Sequence, residues 1–159
     1  MPTTVLFVCL GNICRSPTAE GVMQKLVDDN TLSHDIHIDS AGTGGWHVGD
    51  RADSRMRGHA IKRGIELTSI GRQIKAGNLK NFDYIIGMDD SNIQNIKRLD
   101  TSGTFDHKIF RMVDFCSRIS CSEVPDPYYG GEAGFELVID ILEDACDGLL
   151  KKVRAEQGL

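Results

Sequence analysis

At 159 residues, 40% hydrophobic and 26% charged, the chain has the size of one ordinary domain and needs neither metal nor disulfide staples to bury a core. Its formal charge of −5, from 18 basic and 23 acidic residues, excludes the broadly basic face that nucleic acid or an anionic membrane demands, so any phosphate recognition is local. No basic segment followed by an apolar one opens the chain, no apolar run approaches the roughly 20 residues that span a bilayer, and five cysteines cannot all pair, so a cytoplasmic protein with reduced thiols and no membrane insertion is expected.

The predicted elements alternate. "TTVLFVCL" (3–10) is a short β-branched and apolar run of the kind that forms a strand buried on both faces. "SPTAEGVMQKLVDDN" (16–30) places Ala19, Val22, Met23 and Leu26 at helical spacing, with Ser16 as N-cap and Pro17 in the first turn, where its missing N–H is not needed. "DIHIDSAGT" (35–43) alternates as a strand does, "DSRMRGHAIKRGI" (53–65) reads as a helix, and "FDYIIGMD" (82–89) reads as a buried strand leading into the helix "DSNIQNIKRL" (90–99). A last strand is expected near "HKIFRMV" (107–113). Val138, Ile141, Leu142, Ala145, Leu149 and Leu150 then share one face of a C-terminal helix. This alternation predicts one α/β domain over residues 1–159, a parallel sheet with helices on both faces, and a ligand site beyond the carboxyl ends of the strands.

That rule directs attention to "VCLGNICRSP" (8–17), between the first strand and the first helix. Backbone N–H groups of Leu10, Gly11, Asn12, Ile13, Cys14 and Arg15 can curl there around a tetrahedral anion, with Gly11 supplying conformational freedom and Asn12 tolerating a left-handed turn. A bound phosphate meets a helix N-terminus and the bidentate fork of Arg15. The same field favours an anionic sulfur on Cys9, able to attack phosphorus, and a Ser16 hydroxyl donated to that sulfur helps it leave when the covalent intermediate breaks. An inert core cysteine needs neither neighbour.

Cys9, five further residues, Arg15 and then Ser16 together resemble the active-site loop of the cysteine-dependent protein tyrosine phosphatases. The position near the N-terminus, the form "CLGNICRSPTAE", and the segments "DSAGTGGWHVGDRAD", "FDYIIGMDDSN" and "VPDPYYGG" resemble the low-molecular-weight protein tyrosine phosphatase family over essentially the whole chain. The resemblance implies a four-stranded parallel sheet flanked by helices and a phosphomonoesterase without metal or cofactor, acting on phosphotyrosine-containing proteins or peptides. It implies Cys9 as nucleophile, Arg15 as phosphate clamp, and Asp126 as the general acid that protonates the departing tyrosyl oxygen and then activates water. Trp46, Tyr128 and Tyr129 are implied as aromatic walls that admit a flat ring and exclude the shorter phosphoserine. The chemistry calls for such an acid on its own account, because phenolate leaves less readily than phenol, and Pro125 and Pro127 stiffen the loop around Asp126. One departure stands out: many family members carry a histidine three positions before the arginine of an "RQI"-like stretch, where it supports the loop asparagine. Here Ser69 precedes Arg72 and Gln73. Support of Asn12 is thereby in question, with Ser40 a remaining partner, and activity is expected to be retained.

Each of these residues has a plainer alternative. Cys9 and Trp46 can be core, Asp126 a turn residue, and the tyrosine pair a cover for hydrophobic surface. His34, His37, His59 and His107 suit surface or capping positions, and His47 the border of a pocket. Two further chemistries stay open. The pairs Cys9/Cys14 and Cys116/Cys121 have the C-x4-C spacing of a four-thiolate zinc site, and arsenate reductases use a similar oxyanion loop while passing oxidation to additional cysteines. A non-catalytic phosphate-binding module would leave the acid loop without a purpose. "AGTGG" does not fit a dinucleotide fingerprint, and no P-loop lysine follows a glycine run. Cys14 also suggests a redox role, capturing oxidised Cys9 in a reversible disulfide. A monomer is expected.

Overall fold

The computed structural model describes residues 1–128 and 131–159. The first apolar run forms β1 (Thr3–Cys9), in which Val5, Leu6, Phe7 and Val8 are fully buried. Successive side chains of a strand point to opposite faces: Val5, Phe7 and Cys9 enter the larger core, and Leu6 and Val8 the smaller. Three further strands, β2 (Ile36–Gly42), β3 (Tyr84–Gly87) and β4 (Ile109–Arg111), complete a four-stranded sheet in the order β2-β1-β3-β4. All neighbours are parallel, and Cys9 lies opposite Gly42. The α/β class, with a four-stranded parallel sheet, is the one expected.

Parallel neighbours require crossovers, and helices supply them. α1 (Arg15–Asp29), α2 (Ser54–Ile61) and α5 (Glu132–Gln157) bury Val22, Met56 and Ile139 with Phe7 on one face. α3 (Ala76–Asn81) and α4 (Asp90–Leu99) cover the other through Leu79 and Ile96. The predicted stripe of α5 from Val138 to Leu150 is buried throughout. Each such aliphatic side chain contributes about 1.5–3 kcal/mol relative to exposure. The chain passes from β1 to β2 on one side and later reaches β3 on the other, so the carboxyl end of β1 is the switch point where open α/β sheets place ligands. Cys9 is the last residue of that strand.

Several local expectations are corrected. α1 begins at Arg15 behind Cys14, so Ser16 is not its N-cap, although Pro17 remains in the first turn. The Ser16 hydroxyl is engaged by Cys9 and Asn12 instead. α2 stops at Ile61 and the chain turns through Gly64 at φ 75°, which ends the helix before residue 65. α3 and two short 3-10 turns, Asp106–Lys108 and Met112–Phe115, are additional elements. Among the described residues no helix is long and apolar enough to cross a membrane.

Candidate active site

Beyond Cys9 the backbone reverses at Asn12, which adopts the left-handed conformation at φ 58°. Gly11 does not adopt positive φ, and what it contributes is space, since a Cβ there would lie 3.1 Å from Cδ2 of His47. Among the described residues no acceptor is found for the N–H groups of Gly11, Ile13, Cys14 and Arg15, which leaves donors available to an anion. The buried Cys9 sulfur takes the N–H of Asn12 at 3.3 Å and lies 3.0 Å from Oγ of Ser16.

Asn12 is held at both ends of its amide. Oδ1 accepts the backbone N–H of Arg72 at 3.0 Å, while Nδ2 donates to Oγ of Ser16 at 2.8 Å and to Oγ of Ser40 at 3.0 Å. Ser40 in turn donates to Oε1 of Glu20 at 2.5 Å. Ser69 makes no side-chain hydrogen bond with the described residues, so Asn12 is supported without the histidine that the resemblance led one to look for. The Arg72 backbone and Ser40 carry that support. Asn12, Ser16 and Ser40 lie beneath the loop and brace it, while its outer residues line the cavity.

Arg15 is 3% exposed. Its Nη1 donates to Oδ2 of Asp89 at 2.7 Å and to the carbonyl of Val124 at 3.1 Å, and its Nη2 lies 3.6 Å from Oδ2 of Asp126. Burial opposes the cation, but the Cys9 sulfur, Asp89 and Asp126 outweigh it and hold the guanidinium above its ordinary value. Asp89 escaped the sequence reading. It caps α4, accepting the N–H of Asn92 at 2.8 Å, and that helix-start signal in "DDSN" is the only sign of it in the sequence.

Asp126, between two prolines, accepts the N–H of Tyr128 at 3.0 Å and keeps its carboxylate 39% exposed. Arg55, also missed from sequence, donates to the Tyr128 carbonyl at 3.2 Å and stacks its guanidinium 5.5 Å from the Tyr128 ring and 4.9 Å from that of Phe135. The Asp126 loop is thereby tied to α2. A cavity of about 310 Å³ collects Cys9, Leu10, Gly11, Ile13, Cys14, Arg15, Trp46, His47, Asp126 and Tyr128. Trp46 is 73% exposed at the mouth, packed edgewise over Gly44, and is not core. Leu10 and Tyr128 are exposed beside it. Tyr129 lies outside the described residues.

The other thiols differ from Cys9 in their surroundings. Burial, then the charges of Asp53, Cys9 and Asp126, push the Cys14 thiol well above its ordinary value. Burial with Asp144 and Cys121 beside it pushes Cys116 up to about 12. Among the described residues no three His, Cys, Asp or Glu side chains converge to hold a metal ion, so the two C-x4-C pairs do not form the zinc site their spacing allowed. His59 is half-buried in the last turn of α2, where it stacks on Phe135 and lies 3.1 Å from Glu136.

The family model for low molecular weight phosphotyrosine protein phosphatases matches residues 4–158. The low molecular weight phosphotyrosine protein phosphatase of Schizosaccharomyces pombe is 43% identical over 150 residues, covering 94% of this chain and 96% of its own. A crystal structure of protein tyrosine phosphatase from Entamoeba histolytica, with Hepes in the active site, matches with TM-score 0.92 and 50% identity over 98% of each chain. The crystal structure of DARP, a Drosophila arginine phosphatase, matches with TM-score 0.87 and 31% identity over 94% of this chain and 97% of its own. With the family model spanning nearly the whole sequence, the chain belongs to the low molecular weight phosphotyrosine protein phosphatase family.

Proposed function

We propose that the chain hydrolyses phosphotyrosine in proteins or peptides through a phosphocysteine on Cys9. The observation that carries this reading is the Cys9 sulfur at the end of β1, with the Asn12 N–H and the Ser16 hydroxyl on it, in a cavity shared with Arg15 and Asp126. In the first step the sulfur bonds to phosphorus as the bond to the tyrosyl oxygen breaks, and protonated Asp126 gives its proton to that oxygen. In the second, the Asp126 carboxylate takes a proton from water, the water oxygen bonds to phosphorus, and the S–P electron pair returns to sulfur.

Supporting roles follow from proton accounting. Asn12 donates to Ser16, so the Ser16 proton is free to point at the sulfur and stabilise it as it leaves. Asp89 and Val124 occupy Nη1 of Arg15, which leaves the Nε and Nη2 edge for two phosphate oxygens. Leu10, Ile13, Trp46 and Tyr128 offer apolar surface to a flat ring, with Tyr129 assigned to the same wall; phosphoserine is too short to keep those contacts. A guanidinium in place of the ring finds Asp126 as the only carboxylate among the described lining residues, so phenol is favoured over arginine. Cys14 is assigned a protective role: once a peroxide has converted Cys9 to sulfenic acid, the Cys14 sulfur attacks it, a disulfide forms and water departs. The reading is of a cytoplasmic monomer.

The test compares hydrolysis of phosphotyrosine, phosphoserine and phosphoarginine peptides without added metal, alongside thioredoxin-coupled arsenate reduction. Phosphotyrosine should be preferred, and Cys9→Ser should abolish its turnover. Rapid arsenate reduction with negligible hydrolysis, or preference for another phosphoamino acid, would overturn the reading.

A further inference from the structure

We infer that Glu20 is a positioning residue for the nucleophile: by accepting the Ser40 proton it sets the direction of a hydrogen-bond chain that runs through Asn12 and Ser16 to the Cys9 sulfur. The inference rests on the proposed role of Cys9. Its geometry is a proton count. The Arg72 N–H on Oδ1 of Asn12 fixes which side of the amide carries the NH₂ group. That group supplies one proton to Ser40 and one to Ser16, so each hydroxyl already accepts and must place its own proton elsewhere. Ser40 has Glu20 at 2.5 Å, and Ser16 has the sulfur at 3.0 Å, with the Ala41 carbonyl a longer second acceptor at 3.4 Å. Asn12, Ser16 and Ser40 are each at most 2% exposed, so each polar group depends on its protein partner.

Glu20, on α1, is the carboxylate that terminates this chain among the described residues. Asp39 and Arg72 are the charged groups that face it: Asp39 accepts the Ser40 backbone N–H at 2.8 Å, and Nη2 of Arg72 lies 3.0 Å from its other carboxylate oxygen. Burial raises the Glu20 carboxyl above its ordinary value, against the Ser40 bond and Arg72. Without an acceptor at position 20 the Ser40 hydroxyl is left with a buried, unplaced proton, and its hold on Asn12 weakens. Asn12 is in a left-handed conformation, which asparagine tolerates and its side-chain bonds hold in place, and its N–H is one of the two donors on sulfur.

The test uses Glu20→Met, which keeps the bulk and removes the acceptor, Glu20→Gln, which keeps an acceptor oxygen, Ser40→Ala, and the Glu20→Met/Ser40→Ala double variant. Two readouts are taken with unfolding midpoints: kcat/KM on a phosphotyrosine peptide and the rate of Cys9 alkylation by iodoacetate across pH. Glu20→Met should lower both about 10-fold, Glu20→Gln should stay within about 3-fold of wild type, and Glu20→Met should add nothing to Ser40→Ala. Glu20→Ala replaces the methionine variant if that one does not fold. A folded Glu20→Met with unchanged alkylation, or with its full loss repeated on top of Ser40→Ala, overturns the inference. Alkylation reports on the sulfur whatever the substrate, so a wild-type protein inert toward phosphotyrosine sinks the proposed function and leaves this comparison to stand or fall separately.

Discussion

Asp144 offers a stability prediction whose size follows from its surroundings. Its side chain is 1% exposed, beneath the turn that leads toward the acid loop. The carboxylate accepts the N–H groups of Ser117 at 3.1 Å, Arg118 at 3.0 Å and Ile119 at 2.8 Å. Burial alone would raise its pKa. The three donors and the Arg118 charge overcome that and pull it from 3.8 down to about 2. Because the folded value is depressed, the stabilisation is present above the unfolded value and disappears as pH falls through the folded one. At 1.36 kcal/mol per tenfold, the drop from 3.8 to about 2 corresponds to roughly 2 kcal/mol. Asp144→Asn should therefore lower the unfolding free energy by roughly 2 kcal/mol at neutral pH, and the gap to wild type should close between roughly pH 4 and pH 2. Urea titrations of both proteins across that range measure it. A neutral-pH loss below about 0.5 kcal/mol, the ordinary scatter of surface substitutions, or a gap indifferent to pH, would refute the reasoning. Turnover should survive, because Val124 is anchored separately through its N–H on the Met88 carbonyl at 2.9 Å.

Three other substitutions examine the chemistry. Asp126→Ala should slow phosphotyrosine peptide turnover by about 100- to 10,000-fold while an aryl phosphate with an acidic leaving group loses far less; equal losses would contradict its role as acid. Arg15→Lys should cost roughly 100-fold or more in kcat/KM, because an ammonium cannot keep Asp89, the Val124 carbonyl and two phosphate oxygens together, and recovery of full activity would remove the clamp assignment. After peroxide and then thiol reduction, the wild-type protein should regain activity and Cys14→Ser much less of it; equal recovery would end the protective role given to Cys14.

What the sequence disclosed and what it hid divides along contact range. β1 and α4 were legible because their signals are local: a continuous apolar run, and a helix-like segment directly after a buried strand. The loop from Cys9 to Ser16 was legible because the proposed nucleophile, clamp and cradle lie within eight consecutive residues. Asp89 and Arg55 were not, since their partners stand 74 and 73 positions away and neither spacing nor composition couples them. Ser16 was misread as a cap because a hydroxyl before a helix usually serves that purpose, whereas here the sulfur and Asn12 engage it. α3, six residues containing glycine and two asparagines, has too weak a helical propensity to be seen locally and depends on Leu79 packing under the sheet. The zinc alternative failed for a related reason: spacing within each cysteine pair says nothing about whether the fold brings the pairs together.

The central claim is that the Cys9 sulfur becomes covalently phosphorylated during turnover. Mixing the protein with a phosphotyrosine peptide, quenching in acid within one turnover and mapping the digested chain by mass spectrometry tests it most directly. One phosphoryl group on the peptide containing Cys9, absent from Cys9→Ser, is the predicted result. Full turnover with no phosphorylated sulfur at any quench time, or turnover retained by Cys9→Ser, would contradict it.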